Sequence, residues 1–174
     1  MYPIHAYGSD EQKDKWLSGL GDGTKIGCFG LTEPDFGSNP GGMLTTAKRD
    51  GADYIINGRK MWITNGVLDE EGTPADVVWV YARTGEDDRG RVQMSTFLVE
   101  AGMPGYSVGQ KIMDKTGMRA SNTAELVFQD CVVPAANLVG DEGGSLLHMM
   151  GNLRSSASRS RPCRWASVAA PSKK

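Results

Sequence analysis

The close spacing of turn signals along this chain limits its fold more than any other feature of the sequence. The chain contains 23 glycines, and many of them form pairs or stand beside Asn or Asp. Short runs rich in apolar and β-forming residues lie between these turns, at 26–31, 44–49, 54–56, 60–64, 77–81, 94–99, 106–108 and 125–128. Seven or eight short strands at this spacing predict a mainly β fold, either an antiparallel barrel or an orthogonal sandwich.

The dipeptide Asn57-Gly58 gives a strong turn signal. Two-residue hairpin turns need positive φ angles, which Asn and Gly adopt more readily than other residues. The pair therefore predicts a hairpin in which residues 60–64 return antiparallel to residues 54–56.

Helical patterns flank the predicted strands. Ser9 and Gln12 have the spacing of a capping box, and the helix after them carries a modest apolar face formed by Trp16, Leu17 and Leu20. After Gly144 the apolar residues recur at helical spacing, at Leu146, Met149, Met150 and Leu153. A helix is therefore predicted on each side of the β region.

Charge divides the chain into two unlike parts. The sequence has 19 Lys and Arg against 21 Asp and Glu, and residues 154–174 contain six of these bases and no acid. Residues 1–153 therefore carry 13 bases against 21 acids. The Ser- and Arg-rich stretch 154–174 has no apolar period, which predicts a disordered, solvated extension. The alternative is a basic arm for nucleic acid or anionic lipid, but we expect no nucleic-acid partner.

Simple patterns disfavour several other classes of protein. The longest apolar runs are far shorter than a membrane span, and the start of the chain shows no basic region followed by an apolar stretch. We therefore expect neither a membrane span nor a secretory signal. Cys28, Cys131 and Cys163 lack the spacing of metal ligands, and an odd number of cysteines without a signal fits a reducing compartment.

Two segments have the composition of a ligand site. Residues 29–39 run from a strand into a turn that offers hydroxyls, small residues and backbone N–H groups, which can bind a planar heterocycle or a pyrophosphate. In residues 60–66, Trp62 is able to stack on a ring and Thr64 to donate a hydrogen bond to a ring nitrogen. Taken singly, an ordinary strand exit and a core Trp at a hairpin end explain the same residues.

Taken together, the two segments resemble the flavin-contacting segments of the acyl-CoA dehydrogenase family. Residues 117–137 are similar to a later β-domain signature of that family, and residues 7–12 look like its last N-terminal-domain helix. The resemblance covers residues 1 to about 153 in the family's order. It implies the end of an N-terminal helical domain, a flavin-binding β domain, the start of a C-terminal helical domain and an aberrant basic tail, at 1–22, 23–137, 138–153 and 154–174.

The resemblance also implies roles for residues that match the family's motifs. The implied contacts with the FAD cofactor are Phe29, Leu31, Thr32, Gly37, Ser38, Trp62, Ile63 and Thr64. Within this set, Ser38 approaches the CoA part of the substrate, and the Thr64 hydroxyl lies near flavin N5.

Other residues in these motifs carry different expectations. Phe36 and Asn39 stand where the family has a small residue and Asp, so Phe36 is expected to crowd its turn. Glu33 is an acid beside the site, but its place in the motif implies a structural role rather than that of a base. Arg119 is expected to anchor its loop through an ion pair, the alternative being a contact with a CoA phosphate or a neighbouring subunit.

The family's reaction is FAD-dependent α,β-dehydrogenation of an acyl-CoA thioester, in which a glutamate removes the α-proton and the β-hydrogen leaves as hydride. The resemblance implies an electron-transfer flavoprotein as acceptor and a dimeric or tetrameric homo-oligomer. Residues 117–140 look like isovaleryl-type enzymes and residues 27–40 like glutaryl-type ones, which implies a short or branched acyl group. A bacterial cytoplasm or a mitochondrial matrix suits such an enzyme.

The family's catalytic glutamate lies in its C-terminal helical domain, so no catalytic residue is assigned in this chain, and we expect the chain itself to be inactive. Restoring one G after the Leu153 codon yields, for suitable codons, the helical peptide EIERVALAAMSVGIGRRTLEE. The hypothesis that follows is a frameshifted reading of the family's next helix. The alternatives are a flavin monooxygenase or oxidase on the same fold, and a non-enzymatic remnant.

Overall fold

The computed structural model describes residues 1–159, with side chains described as far as Asn152. Two short helices, α1 (Tyr2–Tyr7) and α2 (Asp10–Asp22), precede the strands. The strands are β1 (Gly27–Gly30), β2 (Thr46–Asp50), β3 (Asp53–Thr64), β4 (Val77–Glu86), β5 (Val92–Glu100), β6 (Tyr106–Lys111), β7 (Thr123–Pro134) and β8 (Leu138–Val139). Single 3-10 turns lie at Pro40–Gly42 and Ala135–Asn137, and helix α3 (Ser145–Arg159) follows.

All eight strands belong to one sheet. Seven of them lie in the order β6-β7-β3-β2-β4-β5-β8. The remaining strand, β1, pairs with β4. Most neighbours are antiparallel, but β1 and β2 both run parallel to β4, on the edge that β5 leaves free. The prediction of a mainly β fold is confirmed, whereas the sheet formed by residues 27–139 stays open and is not a closed barrel.

The hairpin predicted at Asn57-Gly58 is wrong, because β3 runs through both residues without turning. The register of β3 against β7 shifts between Ile56 and Gly58, so this position is a β-bulge. Gly58 has a φ angle of 148°, and a Cβ atom there would lie 2.5 Å from the hydroxyl oxygen of Thr45. Pairing with β2 on one side and β7 on the other therefore overrides the local turn preference.

Apolar clusters lie on both faces of the sheet. In β4, Val78, Val80 and Ala82 join one cluster, whereas the alternate residues Val77, Trp79 and Tyr81 join the other. The second cluster packs against the three helices through Ile4, Trp16 and Met149. The buried run predicted at residues 77–81 is confirmed, because β4 is covered on both faces.

Gln12 fastens α2 to the sheet. The predicted capping box is confirmed by bonds from Ser9 N to Gln12 Oε1 at 3.1 Å and from Gln12 N to Ser9 Oγ at 3.2 Å. The Gln12 side-chain amide also donates to the carbonyl oxygens of Ala136 and Leu138, at 2.8 and 2.9 Å. One side chain thus caps the helix and holds it against the chain that enters β8.

The sheet ends at Val139 and the last helix follows a few residues later. The sheet reaches Val139 because β8 pairs with β5. Helix α3 starts at Ser145, whose hydroxyl lies 2.5 Å from that of Thr96, and its backbone continues to Arg159. The rest of the tail predicted to be disordered, residues 160–174, lies outside the described residues.

Candidate functional site

The two segments singled out in the sequence lie side by side in the fold. The backbone N–H of Met61 donates to the carbonyl oxygen of Thr32 at 2.8 Å. One residue earlier, the Lys60 ammonium donates to the carbonyl oxygen of Leu31 at 3.3 Å. The end of β3 is therefore bonded directly to the residues that follow β1.

The topology of the sheet explains this meeting. Strand β1 leaves the edge of β4 at Gly30, and β2 takes over the same edge only at Thr46. The fifteen intervening residues, 31–45, form the site loop, which leaves the sheet and contacts β3. A change of strand along one edge thus creates the loop and places it beside Trp62 and Thr64.

Glu33 anchors the site loop. Its carboxylate accepts the backbone N–H groups of Leu44 and Thr45 at 2.6 and 3.0 Å, and the Lys60 ammonium donates to it at 2.8 Å. Only 3% of the Glu33 side chain and none of the Lys60 side chain is exposed. These contacts agree with a structural role for Glu33, because its oxygens bind the ends of the loop instead of facing a ligand.

The charge state of Glu33 follows from these contacts. Burial raises the pKa of Glu33, because a carboxylate loses solvation there. The positive charge of Lys60 and the hydrogen bonds from Lys60, Thr45 and Leu44 together outweigh burial, so the pKa of Glu33 lies below its ordinary value. Burial also affects Lys60. It holds the pKa of Lys60 below its ordinary value, although the charge of Glu33 and the hydrogen bond with it raise that pKa. Glu33 is therefore ionised at neutral pH and engaged by donors, which suits it poorly to removing a substrate proton.

Lys60 is a site residue that sequence reasoning missed. Along β3, Tyr54, Ile56 and Lys60 are buried at alternate positions, so a lysine stands where an apolar residue is expected. A charge on the buried side of a strand requires a partner. A lysine at an inward position of a strand is the sequence signal that a partner acid is needed, and the fold supplies Glu33 as that partner.

Trp62 lies at the surface, with 60% of its side chain exposed and a φ angle of 62°. The register of β3 against β7 shifts between Lys60 and Ile63, so Trp62 occupies a second bulge. A bulky residue in the left-handed region is strained, and such strain is found preferentially at functional sites. The interpretation of Trp62 as a core residue is therefore wrong, whereas the side chain of Ile63 is 3% exposed and packs in the core.

Phe29 and Thr64 line one cavity of about 460 Å³. Its apolar walls come from the first two helices and the sheet, through Ile4, Leu20, Trp79 and Leu98. Phe29 is 39% exposed and meets Tyr81 edge to face, with 5.4 Å between ring centroids. Leu31 and Thr32, which follow on the site loop, are half-buried.

Thr64 also lines a second cavity, of about 380 Å³, together with Trp62 and Met118. Met118 is 80% exposed, and Lys115 holds the adjacent loop by donating to the Thr123 hydroxyl at 2.8 Å. The exposed Thr64 therefore lines both cavities, and each of them has an aromatic side chain in its wall.

Gly37 and Ser38 are exposed on the site loop and line neither of these cavities. The crowding expected at Phe36 is relieved by Gly42, because a Cβ atom at Gly42 would lie only 2.3 Å from Cε1 of the Phe36 ring. Reciprocal backbone bonds between Glu33 and Phe36, at 3.2 and 3.3 Å, close the turn.

Arg119 anchors its loop, but through a different contact from the one expected. Its Nε donates to the carbonyl oxygen of Lys115 at 2.8 Å. The anchor is thus a hydrogen bond to the backbone.

The geometry decides which chemistry the site supports. The exposed rings of Phe29 and Trp62 and the hydroxyls of Thr32 and Thr64 suit a planar heterocycle with hydrogen-bonding edges. Among the residues that the structure describes, His, Cys, Asp and Glu form no group of three or more that would hold a metal ion. No helix within residues 1–159 is long and apolar enough to cross a membrane.

A mainly β domain that presents these exposed rings and hydroxyls is suited to holding a planar cofactor. The family described as "Acyl-CoA dehydrogenase, middle domain" matches residues 28–131, which is more than half of the chain. The chain belongs to the acyl-CoA dehydrogenase family.

Individual relatives agree with this membership. The chain is 44% identical over 140 residues to the short-chain specific acyl-CoA dehydrogenase of Clostridium acetobutylicum, covering 80% of this chain and 35% of the relative. It is 45% identical over 150 residues to the mitochondrial isovaleryl-CoA dehydrogenase of Pongo abelii, covering 84% and 33%. The chain therefore spans about a third of the length of these relatives.

Solved structures show the same similarity. An acyl-CoA dehydrogenase from Geobacillus kaustophilus matches with a TM-score of 0.80 and 40% identity, over 89% of this chain and 39% of that one. A glutaryl-CoA dehydrogenase from Mycobacterium smegmatis in complex with FADH2 matches with a TM-score of 0.74 and 47% identity, over 88% and 37%.

Proposed function

We propose that this chain forms the FAD-binding face of an acyl-CoA dehydrogenase that acts on a short or branched acyl-CoA thioester. The observation that carries the proposal is the 2.8 Å bond from Met61 N to the Thr32 carbonyl, which sets the two ring-facing segments side by side. The names of relatives support the substrate class, since they include short-chain, isovaleryl- and glutaryl-CoA dehydrogenases. The structure with FADH2 supports the cofactor.

The surface residues fit a flavin. The exposed ring of Trp62 would stack against it, and the hydroxyls of Thr32 and Thr64 would donate to its polar edge. Phe29 and Leu31 would supply apolar contacts. FAD, when bound, supplies the hydride-accepting chemistry, and the chain holds and orients it.

The remaining assignments concern the loop and the strand. Gly37 and Ser38 would form the turn beside the flavin, with Ser38 toward the CoA part of the substrate. Ile63, buried between Trp62 and Thr64, would fix the strand so that both neighbours face outward.

No described residue is assigned as the catalytic base. A base must present a free carboxylate or similar group to the α-proton, and Glu33 is buried and held by three donors. We place the base in the C-terminal helical domain that the family resemblance implies, since this chain covers only 35% of the length of the Clostridium acetobutylicum relative. The 174-residue chain is accordingly expected to bind FAD without turning over acyl-CoA.

Further assignments extend the proposal to the complete enzyme. The complete enzyme would pass its electrons to an electron-transfer flavoprotein. The complete enzyme would also form a homo-oligomer. The relatives come from bacteria and from mitochondria, which supports a bacterial cytoplasm or a mitochondrial matrix as its location.

Titration of the purified chain with FAD tests the proposal. We expect saturable quenching of flavin fluorescence, weakened in Trp62→Ala and unchanged in Leu147→Ala, a control at a 77% exposed position on α3. Flavin fluorescence that stays constant in the wild-type chain would contradict FAD binding.

A product assay tests the reaction class. With butyryl-, isovaleryl- or glutaryl-CoA and an electron-accepting dye, we expect an enoyl-CoA from the complete enzyme and none from this chain. Hydroxylated product or hydrogen peroxide would favour a monooxygenase or oxidase instead.

Sequencing the DNA around the Leu153 codon tests the frameshift hypothesis. We expect that inserting one G after this codon opens a long reading frame that encodes a helical sequence. An intact reading frame through residues 154–174, followed by a stop codon and no helical sequence, would overturn it.

A further inference from the structure

The Glu33–Lys60 ion pair joins three separate parts of the chain. The Glu33 carboxylate binds the backbone N–H groups of Leu44 and Thr45 at the far end of the site loop. Lys60 belongs to β3 and binds both Glu33 and the Leu31 carbonyl at the near end of the loop. The pair therefore holds the two ends of the site loop together and attaches them to β3.

The position of Lys60 along β3 connects the ion pair to Trp62 and Thr64, the residues of this strand proposed to face the flavin ring. Met61, which bonds to Thr32, follows Lys60 directly, and Trp62 comes next. The register of β3 is released from β7 at this point, since the paired positions jump from Lys60 to Ile63. The contacts of Lys60 with the loop therefore fix the strand where its pairing with β7 is interrupted.

Burial shows that the pair is more than a surface contact. Both side chains are at least 97% buried, so their charges are removed from water and depend on each other. Replacing such a pair with uncharged side chains of similar size is often neutral for stability. The attraction between the charges is lost, but the free-energy penalty of removing both charges from water is lost too. Uncharged side chains do not, however, reproduce the bonds to the loop. A glutamine offers one acceptor oxygen where the carboxylate offers two, and a methionine has no N–H to donate.

We propose that Glu33 and Lys60 are positioning residues for the cofactor, which set the site loop at a fixed distance from Trp62 and Thr64. The proposal rests on the FAD-binding function proposed for this face. It differs from a purely structural role, in which the pair would act only on the stability of the fold and FAD affinity would follow the folded fraction.

The test uses the 174-residue chain with three variants. Glu33→Gln removes one charge, and Glu33→Gln/Lys60→Met removes both and leaves no unpaired buried charge. Arg59→Met is the matched control, because Arg59 is the adjacent base on the same strand but pairs with Glu125 at 3.3 Å and is 63% exposed. Thermal unfolding, FAD affinity and hydrogen exchange of the Leu44 and Thr45 amides are measured for each.

For the double variant we expect a melting temperature close to that of the wild type, an FAD dissociation constant raised about tenfold or more, and faster exchange at Leu44 and Thr45. Arg59→Met is expected to match the wild type in all three. If Glu33→Gln alone fails to fold, the double variant still gives the answer.

Two results would overturn the proposal: wild-type FAD affinity in the stable double variant, or unchanged exchange at Leu44 and Thr45. If the wild-type chain itself does not bind FAD, the proposed function fails. The exchange data then decide separately whether the pair holds the loop.

Discussion

The Lys60 ammonium lies 2.8 Å from the Glu33 carboxylate, although the two residues are 27 positions apart in the sequence. Their contact brings the site loop against β3, immediately before Trp62. Neither residue is distinguishable by type from many exposed acids and lysines of the chain. The geometry of the site therefore depends on a contact that exists only in the folded chain.

Acid should weaken the fold through Glu33. Because its pKa in the fold lies below the ordinary 4.5, the unfolded chain binds the proton more readily. The contribution of Glu33 to stability is therefore complete above that ordinary value and is lost as the pH falls through the folded-state pKa. Urea unfolding between about pH 6 and pH 3 should show a steeper loss in the wild type than in Glu33→Gln/Lys60→Met. Parallel curves for the two proteins would contradict this assignment.

Trp62 should be strained by its own backbone. Its φ angle of 62° suits glycine but is unfavourable for any residue with a Cβ atom. Trp62→Gly is therefore expected to be more stable than Trp62→Ala by about 1 kcal/mol, the reverse of the usual order in a strand. Both variants should bind FAD several-fold more weakly than the wild type, because the stacking ring is absent. Urea unfolding checks the first expectation, and a higher stability for the alanine variant would disprove the strain.

Gly58 should tolerate no side chain. A Cβ atom there would lie 2.6 Å from the Thr45 Cα and 2.5 Å from its hydroxyl oxygen, so the end of the site loop would have to move. We expect Gly58→Ala to lower the free energy of unfolding by more than about 2 kcal/mol. The control is Gly51→Ala in the β2–β3 turn, with φ of 59° and nothing within 4 Å of the added atom. That variant should lose only about 1 kcal/mol from backbone strain, and equal losses at both glycines would argue against the steric explanation.

Phe36 and Gly42 should be coupled. The added Cβ of Gly42→Ala would lie 2.3 Å from the Phe36 ring, so the ring would be displaced. We expect a loss of about 1 to 2 kcal/mol for Gly42→Ala in the wild type and almost none in a Phe36→Ala background. A double-mutant cycle by urea unfolding measures this coupling. An additive cycle would mean that the ring adapts without strain.

The sequence by itself determined the elements whose causes are local. Alternating and continuous apolar runs specified the strands, including the fully buried β4, because side-chain periodicity follows directly from backbone geometry. The capping box of Ser9 and Gln12 was readable because both partners lie within one helical turn. The ring-facing segments were also recognisable, since their motifs are contiguous.

Only the tertiary structure decided how these segments are used. Asn57-Gly58 became a bulge rather than a turn because strands on both sides of β3 pair with it. Trp62 became exposed because the strand slips in register beside it. Lys60 is buried because Glu33 arrives from a loop formed where β1 and β2 share one edge of β4. In each case the deciding contact joins residues distant in sequence, and its energy exceeds the local preference of the residues involved.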